Sequence, residues 1–293
     1  MTNSARKKQW LALVLIGILL IPAAFLAHGR LTVPRYVDVL VLMYHDIQVE
    51  PVVDDAWTIS QDVFRYQMET LQREGFTVVS FDDLIAFVDH GRRLPERPVV
   101  ITFDDGYQSN LDLAAPILEE LGMTALISVV GTRVGTSTYR DTDIQAIPAF
   151  PFEAVMPWVE RGVIQIGHHS YDMHMVELFE TPETFRHGVL QREGESMEDY
   201  FAAFYHDFHT LRIQIEEALG TEVLVYVYPY GHYNEYTEAM LREWGVRVTL
   251  STRFGSNVIE RGNPDSLFGL ARPNMYEELV GERLVERLNY WNR

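Results

Sequence analysis

Five times along the chain a helix-like segment ends in glycine and an apolar stretch follows at once. The junctions are Glu74-Gly75-Phe76, Leu121-Gly122-Met123, Arg161-Gly162-Val163, Leu219-Gly220-Thr221 and Trp244-Gly245-Val246. Glycine suits the left-handed position just past a helix. The apolar stretches are short and rich in β-branched residues, as strands buried on both faces are. The pattern predicts strands near 38–44, 77–80, 98–103, 124–130, 163–168, 223–228, 246–251 and 267–271. It predicts helices near 61–74, 82–89, 110–121, 152–161, 205–219, 234–244 and 277–290. Strands alternating with helices imply a parallel sheet. Seven or eight such units suit a distorted (β/α) barrel with seven or eight parallel strands. A doubly wound open sheet is the alternative. The polar stretch Met175–Tyr200 breaks the rhythm and is expected to be an inserted loop.

Ahead of the first strand, Arg6, Lys7 and Lys8 precede an uncharged apolar run from Trp10 to Ala27. About 17–25 apolar residues can cross a bilayer, and the cations favour an N-terminus held in the cytoplasm. Residues 1–30 are therefore expected to be a cytoplasmic tip and transmembrane anchor, with residues 31–293 forming one barrel domain outside the cytoplasm. A cleaved signal peptide is the alternative, although Phe25 stands where a small residue would be needed for cleavage after Ala27.

Composition narrows the chemistry. A formal net charge of −18 argues against binding bare nucleic acid through its phosphates. With no cysteine among 293 residues, disulfides, thiolate metal sites and cysteine nucleophiles are excluded. Metal ligands must come from His, Asp or Glu.

Candidate chemistry gathers where predicted strands end. The strand Val99–Phe103 runs into Asp104-Asp105-Gly106, two adjacent carboxylates whose side chains point different ways. One can bind a metal while the other takes a proton, although Asp-Gly is also a common turn pair. After Val163–Ile166 come His168, His169 and His174, three of the ten histidines within seven residues. Two histidines plus one carboxylate would bind a divalent metal and leave positions open; His168 is the fallback ligand. Pro229-Tyr230-Gly231 after a third strand forms a tight turn whose N–H groups could hold an oxyanion. His45 follows the first strand as a possible proton donor. Arg272 ends the last, where it could orient a carboxylate through paired hydrogen bonds.

Together these pieces resemble the polysaccharide deacetylases, carbohydrate esterase family four. Thr102-Phe103-Asp104-Asp105-Gly106 is similar to the first motif of that family. His169-Ser170 followed by His174 is similar to the second, and Pro229-Tyr230-Gly231 to the third. The resemblance covers roughly residues 38–275. It implies a metal triad of Asp105, His169 and His174, usually holding Zn2+, with Asp104 as general base and the Tyr230 N–H in the oxyanion hole. Three departures matter. The two histidines are five apart rather than four, Val227 replaces an arginine before the third motif, and Leu270-Ala271-Arg272 stands where a Leu-x-His acid is usual. With the early Met43-Tyr44-His45, these features resemble the branch that partly deacetylates poly-β-1,6-N-acetylglucosamine in biofilm matrices, which implies His45 as the acid. An acid charged near neutrality needs a raised pKa, which a carboxylate neighbour would supply. The implied partner is an acetylated glycan. Other acetylated cell-wall glycans, O-acetyl ester hydrolysis or a non-catalytic glycan-binding role are the alternatives.

Overall fold

The computed structural model describes residues 33–50 and 55–292. The expected anchor, Trp10–Ala27, lies outside the described residues. Among those described, no helix is long and apolar enough to cross a membrane.

Buried apolar runs build the sheet. Strand β5 (Pro98–Phe103) is buried throughout and β1 (Tyr36–Tyr44) from Val39 onward, and the two pair in parallel, Leu40 opposite Val99 through Tyr44 opposite Phe103. From β5 the parallel order continues through β6 (Ala125–Val129), β7 (Ile164–His168), β8 (Val225–Val227) and β9 (Val248–Leu250). The short β4 (Thr77–Val78) pairs with the start of β5. The glycines at all five helix–strand junctions have positive φ, as the sequence rhythm requires. A curled, mostly parallel sheet wrapped by helices is the distorted (β/α) barrel.

The barrel closes differently from expectation. The predicted strand at 267–271 does not form. Pro264–Leu267 is a 3-10 turn capped by Asn263, and Gly269 at φ 62° breaks the extended run. In its place residues 270–275 thread between β9 and β1 without forming a strand. Ser251 N donates to Leu270 O at 2.8 Å, Met43 N to Pro273 O at 3.0 Å, and Met275 N to Met43 O at 3.0 Å. A strand absent from the prediction, β10 (Asn257–Glu260), pairs antiparallel with the first half of β1, so the sheet is not wholly parallel. Its four residues alternate inward and outward, too short a run for the period of two to stand out.

A small parallel ladder of β2 (Asp46–Gln48) and β3 (Thr58–Ser60) follows β1. It brings Trp57 back beside His45, with ring centroids 4.7 Å apart.

The helices are α1 (Gln61–Arg73), α2 (Phe81–His90), α3 (Ala115–Glu120, entered through a π-turn), α4 (Phe152–Glu160), α5 (Met197–Leu219), α6 (Glu235–Glu243) and α7 (Gly281–Trp291). Helix α5 starts within the expected loop because Ser196 caps it, accepting from Asp199 N at 3.0 Å and donating to the Asp199 carboxylate at 2.7 Å. Helix α7 starts later than 277. Glu277 is drawn to the start of α1, where its carboxylate accepts from Ser60 N at 2.7 Å and Ser60 Oγ at 2.8 Å.

Asn257 ties the closing segment to β10 and β1. Its Oδ1 accepts from Ala271 N at 2.7 Å, and its Nδ2 donates to Ala271 O at 3.0 Å and Val39 O at 3.3 Å. Asn257→Ala would strand those buried groups, so chemical denaturation should show a loss of about 1–3 kcal/mol. A loss near zero would mean that the closing segment is held elsewhere.

Candidate active site

The strand ends place the chemistry on one face. Asp104 and Asp105 follow β5, His45 follows β1, His169 follows β7, Tyr230 follows β8, and Arg272 comes from the closing segment. A cavity of about 290 Å3 at this face is lined by His45, Trp57, Asp104, Asp105, Tyr107, His169, His174 and Tyr230, among others.

Asp104 is buried and fully engaged. Arg272 grips it with both arms of the guanidinium, Nη1 to Oδ1 and Nη2 to Oδ2, each at 2.8 Å. Ser128 Oγ donates to Oδ1 at 2.9 Å. Arg272 is itself wholly buried, donating from Nε to Ser251 O at 2.9 Å and from Nη1 to Thr102 Oγ1 at 3.1 Å. Burial pushes the Asp104 carboxyl up most strongly, yet the combined pull of Arg272, His169 and His45 holds it well below the usual carboxylate range. Its Oδ2 faces His45 Nε2 at 3.9 Å.

Asp105 turns the other way. Its Oδ1 lies 3.4 Å from His174 Nε2 and 3.7 Å from His169 Nε2, and Tyr107 OH donates to its Oδ2 at 2.7 Å. Burial raises the Asp105 carboxyl, but His174, His169 and His45 outweigh it and lower the pKa. His169 Nδ1 sits 2.8 Å from the Val227 carbonyl, so the proton belongs on Nδ1 and Nε2 is free to ligate. Burial presses His174 down to about 4, which keeps it neutral and available as a ligand. Ligand atoms of Asp105, His169 and His174 all lie within 4.8 Å of one another. Two imidazole nitrogens and one carboxylate oxygen, with one tautomer locked by a backbone carbonyl, fit a divalent cation such as Zn2+.

Two expectations are corrected. His168, the fallback ligand, points away from this cluster. Its ring stacks between Phe208 and Tyr226, and its Nε2 lies 3.0 Å from Phe208 O. Successive side chains at a strand end face opposite sides, so His169 enters the site and its neighbour cannot. His45 has its carboxylate neighbour, but its pKa is lowered rather than raised. Burial is the largest influence and outweighs the attraction of Asp104 and Asp105.

Tyr230 lies in the turn Pro229–Gly231 with a left-handed backbone, φ 58°. Its hydroxyl donates to Met175 O at 2.7 Å, and its ring lies 4.6 Å from that of His174. A Cβ on Gly231 would meet Thr252 Oγ1 at 2.2 Å, so only glycine can follow Tyr230 here. Among the described residues, four non-glycines have positive φ, and three of them, Asp105, Ser170 and Tyr230, belong to this site. Such strain gathers where function over-determines the backbone.

Sequence reasoning missed Trp57, Tyr107 and Ser128. Tyr107 follows the Asp-Asp-Gly turn, where its hydroxyl could have been weighed. Ser128 was the one polar residue in an apolar strand, which was a usable signal. Trp57 had none, because only the β2–β3 ladder brings it in.

The profile of the family described as polysaccharide deacetylase matches residues 91–249. The Bacillus subtilis (strain 168) protein YxkH, which carries a polysaccharide deacetylase name, is 24% identical over 222 residues, covering 76% of this chain and 67% of that protein. The Escherichia coli (strain K12) poly-beta-1,6-N-acetyl-D-glucosamine N-deacetylase is 23% identical over 238 residues, 73% of this chain. This chain spans only 34% of that relative's length. Among solved structures, a de-N-acetylase from Aggregatibacter actinomycetemcomitans shares the fold with a TM-score of 0.71 at 20% identity, covering 85% of this chain and 99% of that one.

With Arg272 gone, the burial that dominates at Asp104 would lose its main opponent. The Asp104 folded pKa lies below the unfolded value, so its stabilisation is complete above about pH 4 and fades as pH falls through the folded value. Arg272→Gln should therefore cost about 3–5 kcal/mol by leaving a buried charge unpaired. It should also move the acid limb of the pH–rate profile to higher pH. Superimposable acid limbs would separate Arg272 from the ionisation of Asp104.

Proposed function

Because the chain belongs to the polysaccharide deacetylase family, we propose that it removes N-acetyl groups from an N-acetylglucosamine polysaccharide outside the cytoplasm, with poly-β-1,6-N-acetylglucosamine as its substrate. The observation that carries the proposal is the Asp105–His169–His174 cluster set beside a carboxylate, Asp104, that belongs to a separate network. The name of the Escherichia coli relative supports the glycan, as does the early His45 with no late histidine. The charges ahead of Trp10–Ala27 support a single-pass anchor with the barrel outside. Protease accessibility of the barrel in intact cells would test that placement.

Asp105, His169 and His174 would hold a divalent cation, most simply Zn2+. Bound there, the cation would supply Lewis acidity, acidifying a water to a pKa of about 7 and polarising the acetyl carbonyl. Asp104 Oδ2 takes the proton as the water attacks. Arg272 and Ser128 fix that carboxylate's plane and keep it ionised, so it is always ready to accept. The Tyr230 N–H donates to the oxyanion of the tetrahedral intermediate. His45 then protonates the departing sugar amine, which would otherwise leave as an amide anion. Burial keeps His45 neutral at rest, so it is charged by the proton accepted at Asp104, 3.9 Å away. The water's proton thus ends on the amine, and acetate and a glucosamine unit are released.

Acetate release from β-1,6-linked N-acetylglucosamine oligomers should exceed that from β-1,4-linked or O-acetylated ones; equal or reversed rates would overturn the substrate assignment. Asp104→Asn should keep its Zn2+ while turnover falls about 10²–10⁴-fold, the usual worth of a positioned base. His169→Ala and His174→Ala should lose the metal itself. Elemental analysis separates the cases, and metal lost from Asp104→Asn would reverse the roles of the two aspartates.

His45→Ala should retain metal and lose most amide hydrolysis, with a smaller loss on an activated ester whose leaving group needs no proton. Equal losses on both substrates would assign His45 to substrate positioning.

A further inference from the structure

Residues 169–176, which carry both ligand histidines, belong to no helix or strand. Position along such a stretch must be fixed from outside. On one side Gly131 N donates to Ser170 O at 3.0 Å and Thr132 N to Tyr171 O at 2.9 Å. Side chains hold it as well: Tyr230 OH donates to Met175 O at 2.7 Å and Arg140 Nη2 to Asp172 O at 3.1 Å, while Asp207, from the middle of α5, takes successive backbone amides. Its Oδ2 accepts from Tyr171 N at 2.9 Å and its Oδ1 from Asp172 N at 2.7 Å. The Met173 amide also interacts favourably with it. Three successive amides turned toward one carboxylate form an anion-binding nest.

Asp207 is 4% exposed and sits among Phe204, Phe208 and Leu211 on the buried face of its helix. A carboxylate there loses its hydration, and only partners of good geometry compensate. Burial lifts its pKa to about 6, against the pull of the loop amides. Both of its oxygens accept from backbone N–H groups, as an ionised carboxylate does, and both bonds go to the ligand-bearing loop. The nest occupies the chain between His169 and His174 and takes up the five-residue interval between them.

We propose that Asp207 is a positioning residue for the metal centre: its carboxylate, held out by α5, captures the amides of residues 171–173 and thereby sets where His174 stands relative to His169 and Asp105. The proposal rests on Asp105, His169 and His174 being a metal centre. Asparagine cannot replace Asp207, because its amide group would turn an N–H toward a backbone N–H. The size of the side chain is kept while one of the two anchors is lost.

Zn2+ affinity of the full chain, measured by competition with a chromophoric chelator, tests this directly. Asp207→Asn should bind Zn2+ about 10–100-fold more weakly, the usual effect of losing a group that orients ligands. Excess Zn2+ should restore much of its activity. Ile215→Ala, a truncation of a buried residue on the same helix, should lower the melting temperature and leave Zn2+ affinity unchanged. Affinity within twofold of the unaltered chain for Asp207→Asn would overturn the proposal, and so would an equal loss in Ile215→Ala. If Asp207→Asn fails to fold, Asp207→Glu keeps the charge but displaces it by a methylene. Weakened binding in that variant supports the proposal and unchanged binding overturns it. If the unaltered chain takes up no Zn2+, the metal centre itself is removed, and that result is distinct from the failure of Asp207 alone.

Discussion

A buried guanidinium locked to a buried carboxylate is the constraint around which this molecule is arranged. Arg272 is wholly buried and Asp104 nearly so, with only its edge at the cavity, and neither charge could be tolerated there alone. The pair is satisfied on every side: Ser128 and Thr102 from neighbouring strands, Ser251 from the end of β9, and two parallel bonds between the partners. Those contacts need the barrel to be closed, because Arg272 comes from the segment that joins β9 to β1 while Asp104 ends β5. Closing the barrel and setting the Asp104 carboxylate are thus one problem. An irregular closing segment serves better than a strand, since it can turn its arginine across the barrel mouth.

The same arrangement gives two adjacent aspartates different work. Asp104 is claimed by arginine and serine. Asp105, at positive φ, is swung toward His169 and His174 and steadied by Tyr107. The division of labour between neighbours recurs two strands over, at the end of β7. There His168 fills the core between aromatic rings while His169 turns into the site. At His168–His169 the side-chain alternation of an extended chain leaving a strand sorts the residues, whereas at Asp104–Asp105 the left-handed backbone of Asp105 does so.

Much of this was legible in the sequence, and the reason is local. The runs at 98–103, 124–130 and 163–168 are apolar on both faces, which marks strands of a parallel sheet. Each chemical residue next to them inherits a place at the strand's end. What was not legible depends on distant partners. β10 is four residues long and exists by pairing with β1. The 267–271 stretch is apolar enough for a strand, but Pro264 and Gly269 shape it as a turn and a crossing. Asp207 looks like any polar position in a helix until the loop amides arrive from 171–173. The direction of the His45 pKa was misjudged for the same reason: a nearby carboxylate can be inferred from motifs, but the depth of burial that overrides it cannot.

The proposed mechanism depends on the state of one carboxylate, Asp104, and titrating it is the direct test. Carbon-13 NMR of the chain labelled at aspartate, with Asp104→Asn used for assignment, reads its ionisation as pH is lowered. A buried carboxylate gripped by Arg272 should remain ionised well below the ordinary aspartate value of about 3.9. Titration at or above that value, with Arg272 in place, would show that burial and not the guanidinium governs Asp104, and would contradict its role as a base kept ionised between turnovers by the arginine.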